Sequence, residues 1–437
     1  MAGALSVAVV GAGWAGLAAA VEAMRAGHAV TLYEMAEQPG GRAREVRHDG
    51  LALDNGQHIL IGAYTQTLRL MRAVGVDPEA VLLRTPLRLS EPDGRGLHLP
   101  PGPPTLAFAR GVWRREGWRA GERLALLRAA GGWALRGFRC DAALTVAELT
   151  RTLPAAIRRD LVEPLCVAAL NTPAGEASAA VFLRVLRDAL FSGPGSADLL
   201  LPRASLGDLF PAPALAWLKA RGAALELSTR VQAIERAGEG WRIDGTRFDA
   251  VVLATPPGEA ARLSAAIAPA WSAGAAALRY EPIVTVYLDA GATRLPEPML
   301  ALPAGPRAPA QFVFDRGQLG GPRGLLAFVI SGAQPWVDAG REATLAATLA
   351  QARAALGPLL RGEPRPLQSI TEKRATFRCV PGLARPVMQL APGLVAAGDH
   401  VAGPYPATLE GAVRSAVAAV AAVSTSSPAA SPAVISG

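Results

Sequence analysis

The sequence predicts an α/β protein organised around a strand–turn–helix–strand unit. Three observations predict it. Residues 7–34 (VAVVGAGWAGLAAAVEAMRAGHAVTLYE) pass from an apolar run through a glycine turn into a helix and a second apolar run. Residues 393–420 repeat strand, loop and helix near the other end of the chain. Between them, residues 248–254 form an apolar run suited to a strand buried on both faces.

Residues 7–10 are the first strand. Gly11, Gly13 and Gly16 follow at G-x-G-x-x-G spacing, with Trp14 and Ala15 between the last two. Gly11 permits the turn, Gly13 lets backbone approach a pyrophosphate, and Gly16 lets the helix pack on the strand. The helix from Trp14 to Arg25 presents its N-terminal N–H groups and dipole to that anion. Gly27 stops it, residues 29–33 form the next strand, and Glu34 closes that strand about 20 residues past the glycines, where a carboxylate meets ribose hydroxyls. The pattern is that of a dinucleotide-binding turn. Gly40, Gly41 and Arg42 come next, close to the same nucleotide: the glycines let backbone pass and Arg42 reaches pyrophosphate or a ring system. Residues 53–62 then carry Asp54, Asn55, Gly56, Gln57 and His58 in an apolar frame. By themselves these residues describe a turn with Asn-Gly at its tip and a histidine satisfied by backbone.

A helix is expected over residues 67–74, with Gly75 as its stop, and short strands with Pro/Gly turns over 85–104. Residues 108–138 interleave Trp113, Trp118 and Trp133 with seven arginines, Arg114, Arg115 and Arg119 among them. That pattern fits a helix at an anionic lipid interface, and equally a solvated helical face with its tryptophans in the core. Helices follow over 145–170, with Thr145 and Glu148 as a capping box, then over 177–191 and 208–221. Residues 224–227, 231–236 and 241–243 suit strand and hairpin, 280–289 and 325–331 suit strands, and 343–356 suits an alanine-rich helix. In the last segment Gly398 and Asp399 end a strand at residues 394–397. Thr408 and Leu409 start a helix whose free N–H groups point at a developing negative charge. Glu410 in its first turn suits the dipole. Two such segments at opposite ends of a chain fit one extended ligand, and FAD has the required length and chemistry.

Composition narrows the function. The chain has 437 residues, 51% of them apolar, and a formal charge of +8 carried by arginine, with Lys219 and Lys373 its two lysines. No nucleic-acid-binding module is evident. No uncharged apolar run is long enough to span a bilayer, and no signal peptide is expected. Cys140, Cys166 and Cys379 are far apart, form no metal-ligand pattern and point to a reducing compartment.

VGAGWAGLAAA, Glu34, PGGRAR, STRVQAIE and GDHVAGPYPATLEGA together resemble the flavin amine oxidase and phytoene desaturase superfamily over nearly the whole chain. LDNGQHILIGAY and TEKRATFRC resemble its squalene-associated branch, the hydroxysqualene dehydroxylases of hopanoid synthesis. The resemblance implies a Rossmann-like FAD-binding domain with an inserted α+β substrate domain. FAD-binding segments are expected at 1–84, 205–262 and 385–423, substrate segments at 85–204 and 263–384, and a disordered tail at 424–437. It also implies roles. The backbone from Gly11 to Gly16 holds pyrophosphate, Glu34 the ribose, Val231 the adenine edge, Asp399 the ribityl chain, and the Leu409 N–H faces the flavin. Asn55, Gln57 and His58 sit near flavin and substrate, and Lys373 matches the lysine that amine oxidases place near flavin N5. No flavin-attachment motif is present, so FAD is expected to bind non-covalently.

The implied reaction is reductive dehydroxylation of a hydroxysqualene-like isoprenoid, with electrons from an external donor, because only one dinucleotide fingerprint is present. The leaving hydroxyl needs a proton, for which His58 is the first candidate and Asp54 and Lys373 the next. Alternatives are a polyene desaturase and a flavin amine oxidase, which needs an aromatic cage for which Tyr405 is the one suitable residue. The expected location is cytoplasmic, with peripheral contact at the inner face of an anionic membrane.

Overall fold

The computed structural model describes residues 3–425; the tail expected at 424–437 lies outside them from residue 426 onward, and residues 424 and 425 end a helix. The first strand, Ser6–Val10, pairs in parallel with Ala29–Tyr33 on one side and Ala250–Leu253 on the other. Ala224–Glu226 extends the sheet beyond Ala29–Tyr33 and Leu394–Ala396 beyond Ala250–Leu253, all parallel, and Gln389–Ala391 closes that edge antiparallel. Segments far apart in sequence thus lie side by side.

This sheet is buried on both faces. Helix Trp14–Arg25 and helix Leu409–Thr425 share one core with it, with Ala19, Ala20 and Ala23 in the same cluster as Ala412, Ala416 and Ala419. Small residues let two helices and a sheet approach closely. On the other face lies a three-stranded meander, Ile234–Ala237, Gly240–Ile243 and Thr246–Phe248. It explains a difference from the sequence expectation. Residues 248–254 are not one strand: Phe248 ends the meander, and the parallel strand begins at Ala250.

A second, antiparallel sheet has the order Met299–Ala301, Phe312–Asp315, Leu325–Ile330, Tyr280–Asp289, Arg365–Phe377. Its period-2 alternation separates two cores. Val313, Leu326, Phe328 and Ile330 pack towards the helix Arg341–Leu356, while Phe312, Phe314, Ala327 and Val329 face the other way. The long last strand was not anticipated, because RPLQSITEKRATF has many polar residues and one edge open to solvent.

Residues 104–190 form a helical part with its own core. Helices Pro104–Arg114 and Ala120–Leu135 lead it, and Ala179–Leu190 crosses beneath. The Thr145–Glu148 capping box forms as expected. The helix expected over 208–221 is split into Leu206–Leu209 and Pro211–Ala220 at Phe210, where Pro211 opens the second. Among the described residues no helix is long and apolar enough to cross a membrane, and no cluster of His, Cys, Asp and Glu could hold a metal. All three cysteines are free, and burial pushes the Cys166 and Cys379 thiols up to about 12.

Candidate active site

A cavity of about 1390 Å³ is walled by the parallel sheet, the antiparallel sheet and the helical part. Sites for one small ligand measure about 300–1,000 Å³, so this one has room for more than one molecule. Four adjacent parallel strands contribute the residues at their C-terminal ends: Val10 and Gly11, Tyr33 and Glu34, Ala254 and Thr255, Gly398 and Asp399. That edge of an α/β sheet is where ligands bind.

Gly11 has φ +104°, and a Cβ there would lie 2.7 Å from the Ala254 carbonyl oxygen. A Cβ on Gly16 would lie 1.7 Å from the Gly11 carbonyl oxygen, so Gly16 acts by close packing and does not itself line the cavity. Gly13 and Gly41 face one another as bare backbone: a Cβ on Gly41 would meet the Gly13 Cα at 3.3 Å. With Trp14, Ala15 and Gly40 they border the cavity in front of helix Trp14–Arg25, whose first turn has no acidic residue and whose N-cap has no side-chain bond. Such a helix end accommodates an anion. The Glu34 carboxylate accepts the Ala12 N–H (2.6 Å) and the Ala36 N–H (2.8 Å), so it secures the glycine turn as well as bordering the cavity. At the same end, Val231 lines the wall and its carbonyl accepts from Arg262 at 2.6 Å. Hydrogen bonding from Arg262, then Arg230, outweighs burial and holds the Glu259 carboxyl at about 2.

Arg42 crosses to the C-terminal segment. It donates to Asp399 Oδ1 at 2.6 Å and to the Ala375 carbonyl at 2.8 Å. Burial by itself would raise Asp399, but Arg42 and the adjacent His400 hold its carboxyl well below the carboxylate range. Asn55 Nδ2 donates to the Arg42 carbonyl (3.0 Å) and to Glu372 Oε2 (3.1 Å). Gly56, Gln57 and His58 also border the cavity. The His58 ring meets the Gly56 carbonyl at 3.3 Å, and burial pushes the imidazole below its ordinary value. Gln57 donates to the Tyr287 hydroxyl (2.9 Å) and accepts from Arg316 (3.1 Å), which fixes the loop carrying His58. Thr408 caps the last helix, accepting the Gly411 N–H at 3.0 Å, and both Thr408 and Leu409 reach the cavity.

Two expected catalytic residues do not reach it. Asp54 is buried behind the wall, where Oδ1 accepts the Leu206 N–H at 2.9 Å and Oδ2 lies 3.6 Å from Arg316. It caps a short helix, a structural role. Lys373 is exposed. It sits where the pairing of Arg365–Phe377 with Tyr280–Asp289 slips between Glu372 and Thr376, and the strand turns Glu372, Arg374, Ala375 and Thr376 to the cavity instead. Glu372 is therefore the residue that sequence reasoning missed beside Lys373; the slip in pairing that turns it inward leaves no local sequence signal. Tyr64 was missed too. It lines the cavity with Tyr405, but the rings meet edge to face (6.1 Å, 83°) and not as two parallel walls.

The Thr255 hydroxyl and the His400 Nε2 are buried without a hydrogen-bond partner among the described residues, and both residues border the cavity. Unpartnered buried polar atoms call for a polar ligand. Bare glycine backbone, an open helix end and these atoms fit a nucleotide cofactor of the size of FAD. The rest of the wall is apolar. Phe108, Leu126, Trp133 and Phe182 come from the helices, and Ile283, Met299, Phe312 and Phe314 from the antiparallel sheet.

Residues 14–424 match the profile of the flavin-containing amine oxidoreductases. A hydroxysqualene dehydroxylase of Sinorhizobium fredii is 30% identical over 440 residues, covering 94% of this chain and 96% of that protein. A zeta-carotene desaturase of Zea mays is 42% identical over 74 residues, 17% of this chain and 13% of that protein. Among solved structures, a cyclohexylamine oxidase from Brevibacterium oxydans superposes with a TM-score of 0.64 at 17% identity, over 97% of this chain and 99% of that one.

Proposed function

The chain belongs to the flavin-containing amine oxidoreductase family, and within it we propose a reductive dehydroxylase that converts hydroxysqualene to squalene. It is an FAD-dependent oxidoreductase. The observation that carries the reading is the wall of the cavity: a nucleotide end built of backbone and charge, continuous with long apolar walls from two separate cores. A small amine needs no such walls, and an unbranched polar substrate would leave them wet. Similarity to a hydroxysqualene dehydroxylase over nearly the full length supports the same choice.

In this reading the backbone around Gly11, Gly13 and Gly16 holds the pyrophosphate of FAD, with Gly40, Gly41 and Arg42 beside it. Glu34 takes the ribose, Val231 the adenine edge, Asp399 the ribityl chain, and Leu409 its N–H to the flavin. Bound non-covalently and reduced by an external donor, FAD would supply hydride chemistry at this site. The chain supplies the rest. The apolar walls hold the isoprenoid and exclude water. A proton is needed so that the C–O bond breaks with water as the leaving group: substrate hydroxyl, one hydride and one proton give squalene and water. His58 delivers it from the loop pinned by Gln57, Tyr287 and Arg316. Glu372, bonded to Asn55, supplies the negative charge that offsets the cationic character of the reacting carbon.

The test is anaerobic: reduce the bound flavin with dithionite, add hydroxysqualene, and follow flavin absorbance and squalene together. Stoichiometric reoxidation with squalene formed is expected. Reduced flavin that ignores hydroxysqualene, alongside oxidised flavin bleached by a polyene, would identify a desaturase, the activity named for the shorter match.

A further inference from the structure

The helices Pro104–Arg114 and Ala120–Leu135 have two useful faces. Their inner faces carry Phe108, Leu126, Ala130 and Trp133 into the cavity wall. Their outer faces carry apolar residues into solvent. Leu106, Arg110 and Trp113 follow at i, i+4 and i+7, one stripe of the first helix; Leu124, Arg128, Gly131 and Leu135 follow at i, i+4, i+7 and i+11, one stripe of the second. Leu106 is 52%, Trp113 55%, Leu124 42% and Leu135 91% exposed. These are four of the seven large apolar residues exposed among the described ones. The Arg123 guanidinium lies 6.0 Å from the Trp113 ring, so the two helices join along this side.

The charge around the stripes is mainly positive. Arg110, Arg114, Arg119, Arg128, Arg136 and Arg139 are exposed. Residues 104–140 hold two acids, Glu116 and Glu122, and Glu122 is occupied as an N-terminal cap, accepting the Arg119 N–H at 2.7 Å. Arg115 does not belong to the surface: it is buried and paired with Glu91 at 2.5 Å. Trp118 and Trp133 are in the core. Sequence pattern alone could not sort these residues; the fold does.

We propose that this helical pair docks on an anionic lipid surface and is the port through which an apolar substrate passes between bilayer and cavity. The proposal rests on the isoprenoid reading above. Leucine and tryptophan at the ends of the first stripe and leucine at the ends of the second, with arginine between and beside them, is the arrangement of a helix lying in the headgroup region, buried about 5–10 Å. The arginines meet lipid phosphates. One helix diameter, about 10–12 Å, then separates lipid from the cavity wall.

The experiment uses the FAD-loaded full chain and cosedimentation with phosphatidylglycerol-containing vesicles and with phosphatidylcholine vesicles. Wild type is expected on the anionic vesicles, at least tenfold more weakly on the neutral ones, and released by salt. Two variants, Leu106→Ser/Trp113→Ser/Leu124→Ser/Leu135→Ser and Arg110→Glu/Arg128→Glu/Arg136→Glu, are each expected to lose at least tenfold in vesicle binding. Both should keep the flavin spectrum and conversion of detergent-dispersed substrate, which shows that they fold. Variants that sediment like wild type, equal binding to both vesicles, or a wild type that ignores vesicles but self-associates through these residues would each overturn the proposal. Wild type that binds vesicles yet converts no hydroxysqualene in detergent would refute the substrate reading and leave the docking surface standing.

Discussion

Arg42 and Asp399 form a close charged contact at the cavity wall, and each is needed by the other. Asp399 is almost buried, so Asp399→Asn leaves Arg42 without its anion; a broken buried pair costs about 3–5 kcal/mol. Half-exposed Arg42 reduces that, and a loss of about 2 kcal/mol is expected by urea titration, together with weaker FAD binding by fluorescence titration of the apoprotein. The pH dependence has a definite sign. Asp399 is held below its unfolded value, so its contribution is complete above about pH 4 and fades as acid reaches the folded value. His58 acts in the same sense, from a higher pH. Its folded value is lowered, so below about pH 6.5 the unfolded chain binds the proton first and stability falls with it. If His58 donates the catalytic proton, single-turnover dehydroxylation accelerates as pH drops below neutral, and His58→Gln flattens that profile. Lys373→Ala is expected to leave flavin reoxidation unchanged, whereas Glu372→Gln slows it about tenfold or more; a slow Lys373→Ala would return the lysine to the reaction. His58 and Arg42 were identifiable from sequence because each sits in a motif. Glu372 was not, because a slip in strand pairing decides which neighbour faces in.

The last helix shows how an element can be read correctly and still be misjudged. Its start at Leu409 and its Thr408 cap follow from local chemistry, and Thr408→Ala should cost about 1 kcal/mol. Glu410 was expected only to suit its own helix dipole. In fact its carboxylate, fully buried, accepts the Gln66 and Thr67 N–H groups and the Thr67 hydroxyl, so it caps the helix Thr65–Ala73. Glu410→Ala should therefore destabilise by about 3 kcal/mol, seen as a lower urea midpoint with flavin spectrum intact where the protein folds. No local pattern can show such a cross-chain cap, since its donors lie 343 and 344 residues away. The glycine turn is the reverse case. Gly16→Ala places a methyl against the Gly11 carbonyl, and the expected outcome is protein that emerges without flavin absorbance. That requirement was visible in the motif spacing alone.

The parallel sheet was legible as separate strands, and its assembly from remote segments was expected from the two nucleotide-like units. Leu394–Ala396 does take its place beside Ala250–Leu253. The antiparallel sheet was harder. Tyr280–Asp289 and Leu325–Ile330 announce themselves as apolar runs, while the strands Met299–Ala301 and Phe312–Asp315 are too short and the last strand too polar to do so. The helical part was visible as helices, but which face of each met core, cavity or solvent depended on packing.

The Arg42–Asp399 contact joins positions 357 residues apart. At a synthesis rate of about 5–20 residues per second, roughly 20–70 s pass between the appearance of the arginine and that of its partner. Throughout that interval the glycine turn exists without the segment that completes its pocket. Cofactor capture is therefore a late event in the life of each new molecule. A cell short of flavin would accumulate finished chains that lack only the cofactor lying between those two segments.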